Sequence, residues 1–312
     1  MPAEFLRCPR NYGRMQYSRG SPARHGRGNP GSMPEKNSEY GKEHRGTTMK
    51  PLLMPACLLM IFSVNAAANE PPADREKFHL FLLAGQSNMA GRGQITAEDR
   101  RPNPRILMLT KAGEWKPAVA PLHFDKKSAG VGIGREFARQ IVAADPTVTV
   151  GLIPCAAGGS PISAWEPGGY HGQTNSRPYD ESIRRAGTAM KTGVLKGVLW
   201  HQGESDSKPK LADVYEQKLH QLIVRLRMEL SAEQIPFIAG QMGQFPERPW
   251  SDDKKKVDQA HRNLPQKVAG TAFVNSDGLS HKGDRVHFDA KSYRVLGRRY
   301  AEAFLKLTRR DR

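Results

Sequence analysis

Cysteine is scarce in this chain: there are three in 312 residues. Two of them, Cys8 and Cys57, fall in segments expected to be absent from the working protein, so only Cys155 would remain. A disulfide-stapled scaffold is therefore excluded, and the fold must rely on its core. Long apolar runs are missing too. One stretch, Leu52–Val64, is strongly apolar but too short for a comfortable membrane span. No nucleic-acid motif is present, and "GRG" at 91–93 lacks the lysine and the spacing of a phosphate loop. His123, His171, His201 and His281 have no metal-ligand spacing, so no metal site is expected. There is no internal repeat and no sign of a second domain.

What is present begins with an unusual N-terminal segment. Residues 1–48 are rich in Gly, Arg, Pro, Ser and Asn and poor in aliphatics. Such a segment buries too little apolar surface to offset its ordering entropy, so it reads as disordered or as a spurious extension. From Met49 the chain shows a lysine, an apolar core and Ala66-Ala67-Ala68. That is the layout of a secretory signal peptide over 49–68 with cleavage after Ala68. The expected mature protein is 69–312, one domain with a proper core, secreted or periplasmic and without stable membrane association. The net charge is +17, of which residues 1–48 carry +5 and Lys50 +1, leaving +11 on the mature chain. Much of it lies late, at Arg294, Arg298, Arg299, Lys306, Arg309, Arg310 and Arg312. This reads as a solvated helix face and a frayed tail, with attraction to an acidic polymer as the alternative.

Past residue 77, apolar runs alternate with amphipathic segments. Strands are expected at 78–84, 105–110, 147–154, 196–202, 236–241 and 271–275. Most are continuous apolar runs, as strands buried on both faces should be. Residues 134–144 place Phe137, Ile141 and Val142 on one helical face. Residues 211–230 repeat Leu211, Val214, Leu222, Leu226 and Leu230, and 289–307 begin at an Asp289 cap and repeat Tyr293, Leu296, Tyr300 and Phe304. Alternation of this kind predicts an α/β fold, a parallel sheet between helices. Ligand sites then form at the carboxyl ends of strands. Polar residues follow strand ends three times, at Gln86-Ser87-Asn88, Gly158-Gly159-Ser160 and His201-Gln202-Gly203-Glu204. A fourth cluster, Asp284-Arg285-Val286-His287, precedes the last helix.

Ser87 is either a helix cap or a nucleophile. A nucleophilic serine needs a base, and His287 at a loop–helix junction is the best candidate. Asp284, three residues earlier, can fix the tautomer that accepts a proton at Nε2, with Asp277 and Asp289 as competing acids. The N–H groups of Ser87 and Gly159 and the side-chain amide of Gln202 are candidate oxyanion donors. Gln86 and Asn88 would shape the loop. Glu204 would brace its own loop or serve as an alternative acid. Trp165 reads equally as core or as a sugar-stacking wall.

Together, "GQSNMAG", "GGSPISAW", "WHQGESD" and "GDRVHFDAKSYRVLGRRYAEAF" resemble the SGNH hydrolase superfamily. Within it they are similar to carbohydrate acetylesterases of the sialate O-acetylesterase and acetylxylan esterase (family 6) type, over about Phe78 to Phe304. The resemblance implies a three-layer α/β/α, flavodoxin-like fold with a central parallel sheet of about five strands. It implies Ser87 as nucleophile, His287 as base, Asp284 as its partner, and Ser87, Gly159 and Gln202 as the oxyanion hole. No metal or organic cofactor is implied. The expected partner is an acetylated carbohydrate, such as acetylxylan. Sialate, peptidoglycan or lipid esters are alternative substrates, and a non-catalytic carbohydrate binder on the same fold is the rival class. Sequencing of the exported protein should begin at Asn69; recovery of an intact residue 1 would overturn the processing expected here.

Overall fold

β1 (Phe78–Gly85) shows why the sheet has two covered faces. Phe78, Leu80, Leu82 and Ala84 join one apolar cluster, and Phe81 and Leu83 join the other. The period-two alternation of a strand thus sends an unbroken apolar run into two different cores. The computed structural model describes residues 70–309. The expectations for 1–48, the signal peptide at 49–68, and Arg310 and Arg312 lie outside the described residues.

The other strands are β2 (Ile106–Leu109), β3 (Trp115–Pro117), β4 (Thr149–Pro154), β5 (Val194–His201), β6 (Phe237–Gly240) and β7 (Thr271–Val274). They form one seven-stranded sheet in the order β3-β2-β4-β1-β5-β6-β7. All pairings are parallel except β2 with β3. All six expected strands are present. The sheet exceeds the five or so strands that the resemblance implies, partly because β3 adds an antiparallel edge. That strand is three residues long and carries Lys116 and Pro117, so no apolar run announces it.

The helices are α1 (Ser87–Ala90), α2 (Ile133–Ala144), α3 (Pro178–Ala189), α4 (Leu211–Glu229), α5 (Asp252–Lys267) and α6 (Ala290–Arg309). α3, α4 and α5 cover the Leu80/Leu82 face, and α2 and α6 cover the Phe81/Leu83 face. This is the three-layer arrangement expected. Phe81, Phe137 and Phe304 meet edge to face, with Phe81 4.8 Å from Phe137 and 5.1 Å from Phe304. The stripe read on α4 is out of phase at its start. Leu211 and Val214 are exposed, while Ala212, Tyr215 and Leu219 face the core. The repeat on α6 is as expected: Tyr293, Leu296, Tyr300 and Phe304 are all buried, and Asp289 Oδ1 accepts the Ser292 N–H at 2.7 Å. α3 and α5 were not anticipated. α5 has a Ser251 cap and a thin Val257/Ala260/Leu264 stripe, diluted by lysines and aspartates.

Part of the late positive charge is paired while remaining at the solvated surface. Arg294 pairs with Asp99 at 2.6 Å, Arg298 with Glu136 at 3.5 Å, and Arg299 donates to the Asn275 and Asp277 carbonyls.

β1 lies between β4 and β5, where the chain reverses its direction of strand addition. Its carboxyl end is therefore the topological switch point, where an open α/β sheet leaves a crevice. There Gly85 adopts φ +132°, and a Cβ would sit 2.2 Å from the His201 carbonyl oxygen of β5. Only glycine permits both that conformation and that approach. Replacing Gly85 by Ala should cost more than about 2 kcal/mol of stability and lower activity; a wild-type denaturant midpoint would show that the strand end can shift freely.

Candidate active site

Four loops meet at this switch point. The first leaves β1 at Gly85, keeps one ladder bond from Gln86 N–H to His201 O at 2.9 Å, and turns into the four-residue α1. Ser87 opens that helix and is 8% exposed. The second, after β4, is tied to β1 by Ala157 N–H donating to Gly85 O at 2.9 Å. The third, after β5, touches the first through Gln86 Oε1, which accepts the N–H groups of Gly203 and Ser205 at 3.5 and 3.3 Å. The fourth precedes α6 and is seated by Phe288, fully buried against Phe245 and Tyr293.

The fourth loop delivers His287. Its Nε2 lies 2.9 Å from Ser87 Oγ, across 200 residues of chain. Its Nδ1 lies 2.7 Å from Asp284 Oδ2. Asp284 Oδ1 accepts the N–H groups of Val286 and His287 at 3.0 and 2.8 Å. Burial alone would raise the Asp284 carboxyl pKa. The His287 N–H and ring, the Val286 N–H and the Lys282 ammonium outweigh it and hold this group well below the usual carboxylate range. An ionised acceptor on Nδ1 leaves the Nε2 lone pair facing the serine hydroxyl. The competing acids are engaged elsewhere, Asp277 with Gln244 at 3.0 Å and Asp289 at the start of α6. The His287 and Asp284 side chains remain 22% and 33% exposed, so an ester can reach them from solvent.

Asn88 joins these pieces. It is fully buried, and its Nδ2 donates to Glu204 Oε1 at 2.5 Å and to the Val286 carbonyl at 3.1 Å. Its Oδ1 accepts from Tyr293 OH at 2.6 Å. One amide therefore fastens α1 to the β5 loop, the histidine loop and α6. Glu204 supports this amide rather than His287, so the alternative of Glu204 as the orienting acid does not fit the geometry.

The expected oxyanion donors divide into two groups. Among the described residues, neither the Ser87 nor the Gly159 N–H donates to a protein acceptor. Gly159 has φ +89°, which turns its peptide out of the regular path. Gln202 does not fit the expectation. It is fully buried, its Nε2 donates to Asp206 Oδ2 at 2.5 Å and to Ser160 O at 3.1 Å, and its Oε1 accepts from Tyr215 OH at 2.8 Å. With both amide hydrogens committed, it has none to offer an oxyanion. Trp165 is also settled: it is fully buried, edge-on to Trp200 at 5.0 Å, and donates to Ser160 Oγ at 3.0 Å. It is core, not a sugar wall.

Sequence reasoning missed the supporting shell. Asp125 Oδ2 accepts the Gly158 N–H and the Arg92 guanidinium, both at 2.9 Å, and so ties the β4 loop to the residue after Gly91. No local spacing signals a partner 33 residues away. The buried histidines are neutral structural groups. Burial pushes His123 down to about 4, and His201 and His261 down to about 3. A cavity of about 1120 Å³ lies at the opposite end of the sheet beside Arg75, His79 and Lys196, away from these four loops.

A seven-stranded α/β sheet holds a serine, an imidazole and a carboxylate in line at its switch point, an arrangement that suits a carboxylic ester hydrolase. The sequence profile described as "carbohydrate esterase, sialic acid-specific acetylesterase" matches residues 77–306, and this chain belongs to that family. A "probable carbohydrate esterase" from Arabidopsis thaliana is 34% identical over 248 residues, covering 72% of this chain and 90% of that protein. A crystal structure from Arabidopsis thaliana is 32% identical with a TM-score of 0.65, covering 73% of this chain and 98% of that one. The crystal structure of NanS shares the fold at 18% identity, with a TM-score of 0.64 and coverage of 76% and 99%.

Asn88→Ala would strand Glu204, the Val286 carbonyl and the Tyr293 hydroxyl together. It should cost about 2–4 kcal/mol in urea unfolding; an unchanged midpoint would remove Asn88 as the fastening point.

Proposed function

We propose that this chain is a serine esterase that removes O-acetyl groups from carbohydrates through an acetyl-enzyme intermediate. The observation that carries this reading is the continuous line Ser87 Oγ, His287 Nε2, His287 Nδ1, Asp284 Oδ2, with separations of 2.9 and 2.7 Å at its two hydrogen bonds. Family membership supports the carbohydrate ester as substrate.

Ser87 Oγ attacks the acetyl carbonyl carbon while its proton passes to His287 Nε2. The carbonyl π pair moves onto oxygen, and the unengaged N–H groups of Ser87 and Gly159 receive that negative charge. His287, now cationic, is stabilised by Asp284 and returns its proton to the sugar oxygen as the C–O bond breaks. A water then gives a proton to His287 Nε2 and attacks the acetyl-serine. Collapse of the second tetrahedral intermediate breaks the bond to Ser87 Oγ, which regains its proton, and acetate leaves. Acetylxylan and related glycans are the substrates we favour, acting in a secreted or periplasmic setting that rests on the 49–68 sequence pattern alone. O-acetyl sialate is a second reading, favoured by the family's description.

Acetate release should be measured on acetylated xylan, O-acetyl sialate and acetylated peptidoglycan. Ser87→Ala should abolish release from every substrate the wild type cleaves while folding is retained; persistent turnover would rule out the mechanism. Asp284→Asn should lower kcat by about 10²–10⁴-fold, and an unchanged kcat would remove Asp284 from its role.

A further inference from the structure

Asp206 is 1% exposed and lies directly behind the site. A single oxygen, Oδ2, accepts the Ile162 N–H at 2.9 Å and the Gln202 Nε2 at 2.5 Å. Gln202 passes the connection on to the Ser160 carbonyl at 3.1 Å, and Ser205 Oγ holds the Gly159 carbonyl at 2.8 Å. The segment 159–162 is thus gripped at three points, the Gly159 and Ser160 carbonyls and the Ile162 N–H, by the loop 202–206. That loop is itself seated on Gln86, next to the serine. The free N–H of Gly159 is therefore held on its C-terminal side by this grip and on its N-terminal side by Asp125, which takes the Gly158 N–H, and Asp206 Oδ2 is the atom common to two of the grip's three arms.

We infer that Asp206 is a positioning residue that sets the Gly159 N–H against Ser87 for the transition state. This rests on the proposed esterase mechanism and adds to it a residue that touches neither substrate nor reacting atoms.

The charge on Asp206 has a cost that a purely structural acceptor would avoid. No ion pair within 4 Å involves it among the described residues. The groups facing it are Gln202 and Lys208 from its own loop, Ile162 from the β4 loop, and Tyr215 and Lys218 from α4. Burial pushes its carboxyl up from 3.8 to about 6, against the two hydrogen bonds and the lysines. The folded state therefore binds this proton more tightly than the unfolded state. Stability from this group is greatest at low pH and falls as pH rises between the ordinary value and about 6. Above that window the carboxylate is held at a loss, which a neutral amide in the same place would relieve.

Both donors reach the same oxygen, so Asp206→Asn keeps an acceptor where it is needed and Asp206→Ala removes it. Turnover of 4-nitrophenyl acetate should be measured per serine titrated with a fluorophosphonate. For Asp206→Ala, kcat should fall about 10–100-fold with KM within about 3-fold of wild type. Asp206→Asn should stay within about 3-fold of the wild-type kcat and melt at the same or a higher temperature at pH 7.5. Should the alanine variant fail to fold, Ser205→Ala severs the arm to the Gly159 carbonyl without touching Gln202 and should give a similar fall in kcat at constant KM, an unchanged kcat overturning the inference. A wild-type kcat for folded Asp206→Ala would overturn the inference, as would a fall in kcat for Gln202→Met alone, which would return Gln202 to a direct donor role. A loss of kcat in Asp206→Asn equal to that in the alanine variant would also overturn it. Ser87→Ala in the same assay keeps the two readings apart: turnover there defeats the esterase mechanism, while a dead Ser87→Ala beside an unimpaired Asp206→Ala defeats only the positioning role.

Discussion

Ser87 and His287 come from opposite ends of the described chain, and Asn88 keeps them together. Its amide is buried beside the serine and holds the Val286 carbonyl, one residue before the histidine. Without that bond the histidine loop would be attached mainly through Phe288 and the start of α6. Hydrogen bonds of this geometry are worth little individually in water, but the same groups left unpaired inside a protein are expensive. The arrangement is stable because each polar atom of Asn88 has a partner on a different element. The rigid parts of the fold, β1 and α6, therefore meet where Ser87 Oγ faces His287 Nε2.

The same economy appears on the other side of the serine. The loops after β4 and β5 are joined by Gln202, Asp206, Ser205 and Ser160 in a buried network that reaches Tyr215 and His261. Buried polar networks are favourable only when their members are satisfied, and this one leaves His261 Nδ1 without a partner and keeps a carboxylate out of water. Conformation near a reacting group is commonly maintained at some expense in stability. The proposed mechanism gives that expense a purpose, because backbone donors stabilise a developing oxyanion only if they are already in place.

The sheet was legible because strands covered on both faces write continuous apolar runs, and six of them stand out in the sequence. The serine, histidine and Asp284 were legible because each lies in a polar cluster at the end of an apolar element. Other features left weaker traces. β3 is too short, and α5 dilutes its apolar stripe with charge. The α4 stripe was misphased because leucine and valine at its start mimic a core face, whereas Tyr215 and Ala212 are what tertiary packing selects. Gln202 was assigned to the oxyanion because its position after β5 suggested it, and a position in a strand-end loop says nothing about which partner an amide finds.

Local chemistry in the sequence determined the element types, the parallel α/β class and the candidate reactive side chains, since these follow from periodicity and from which residues can donate, accept or attack. Tertiary structure alone decided which acid serves His287, which donors stay free, and that Trp165 and Gln202 are internal. Those outcomes depend on distances between segments far apart in the chain, and a hydrogen-bonding group has several acceptable partners until packing leaves it one.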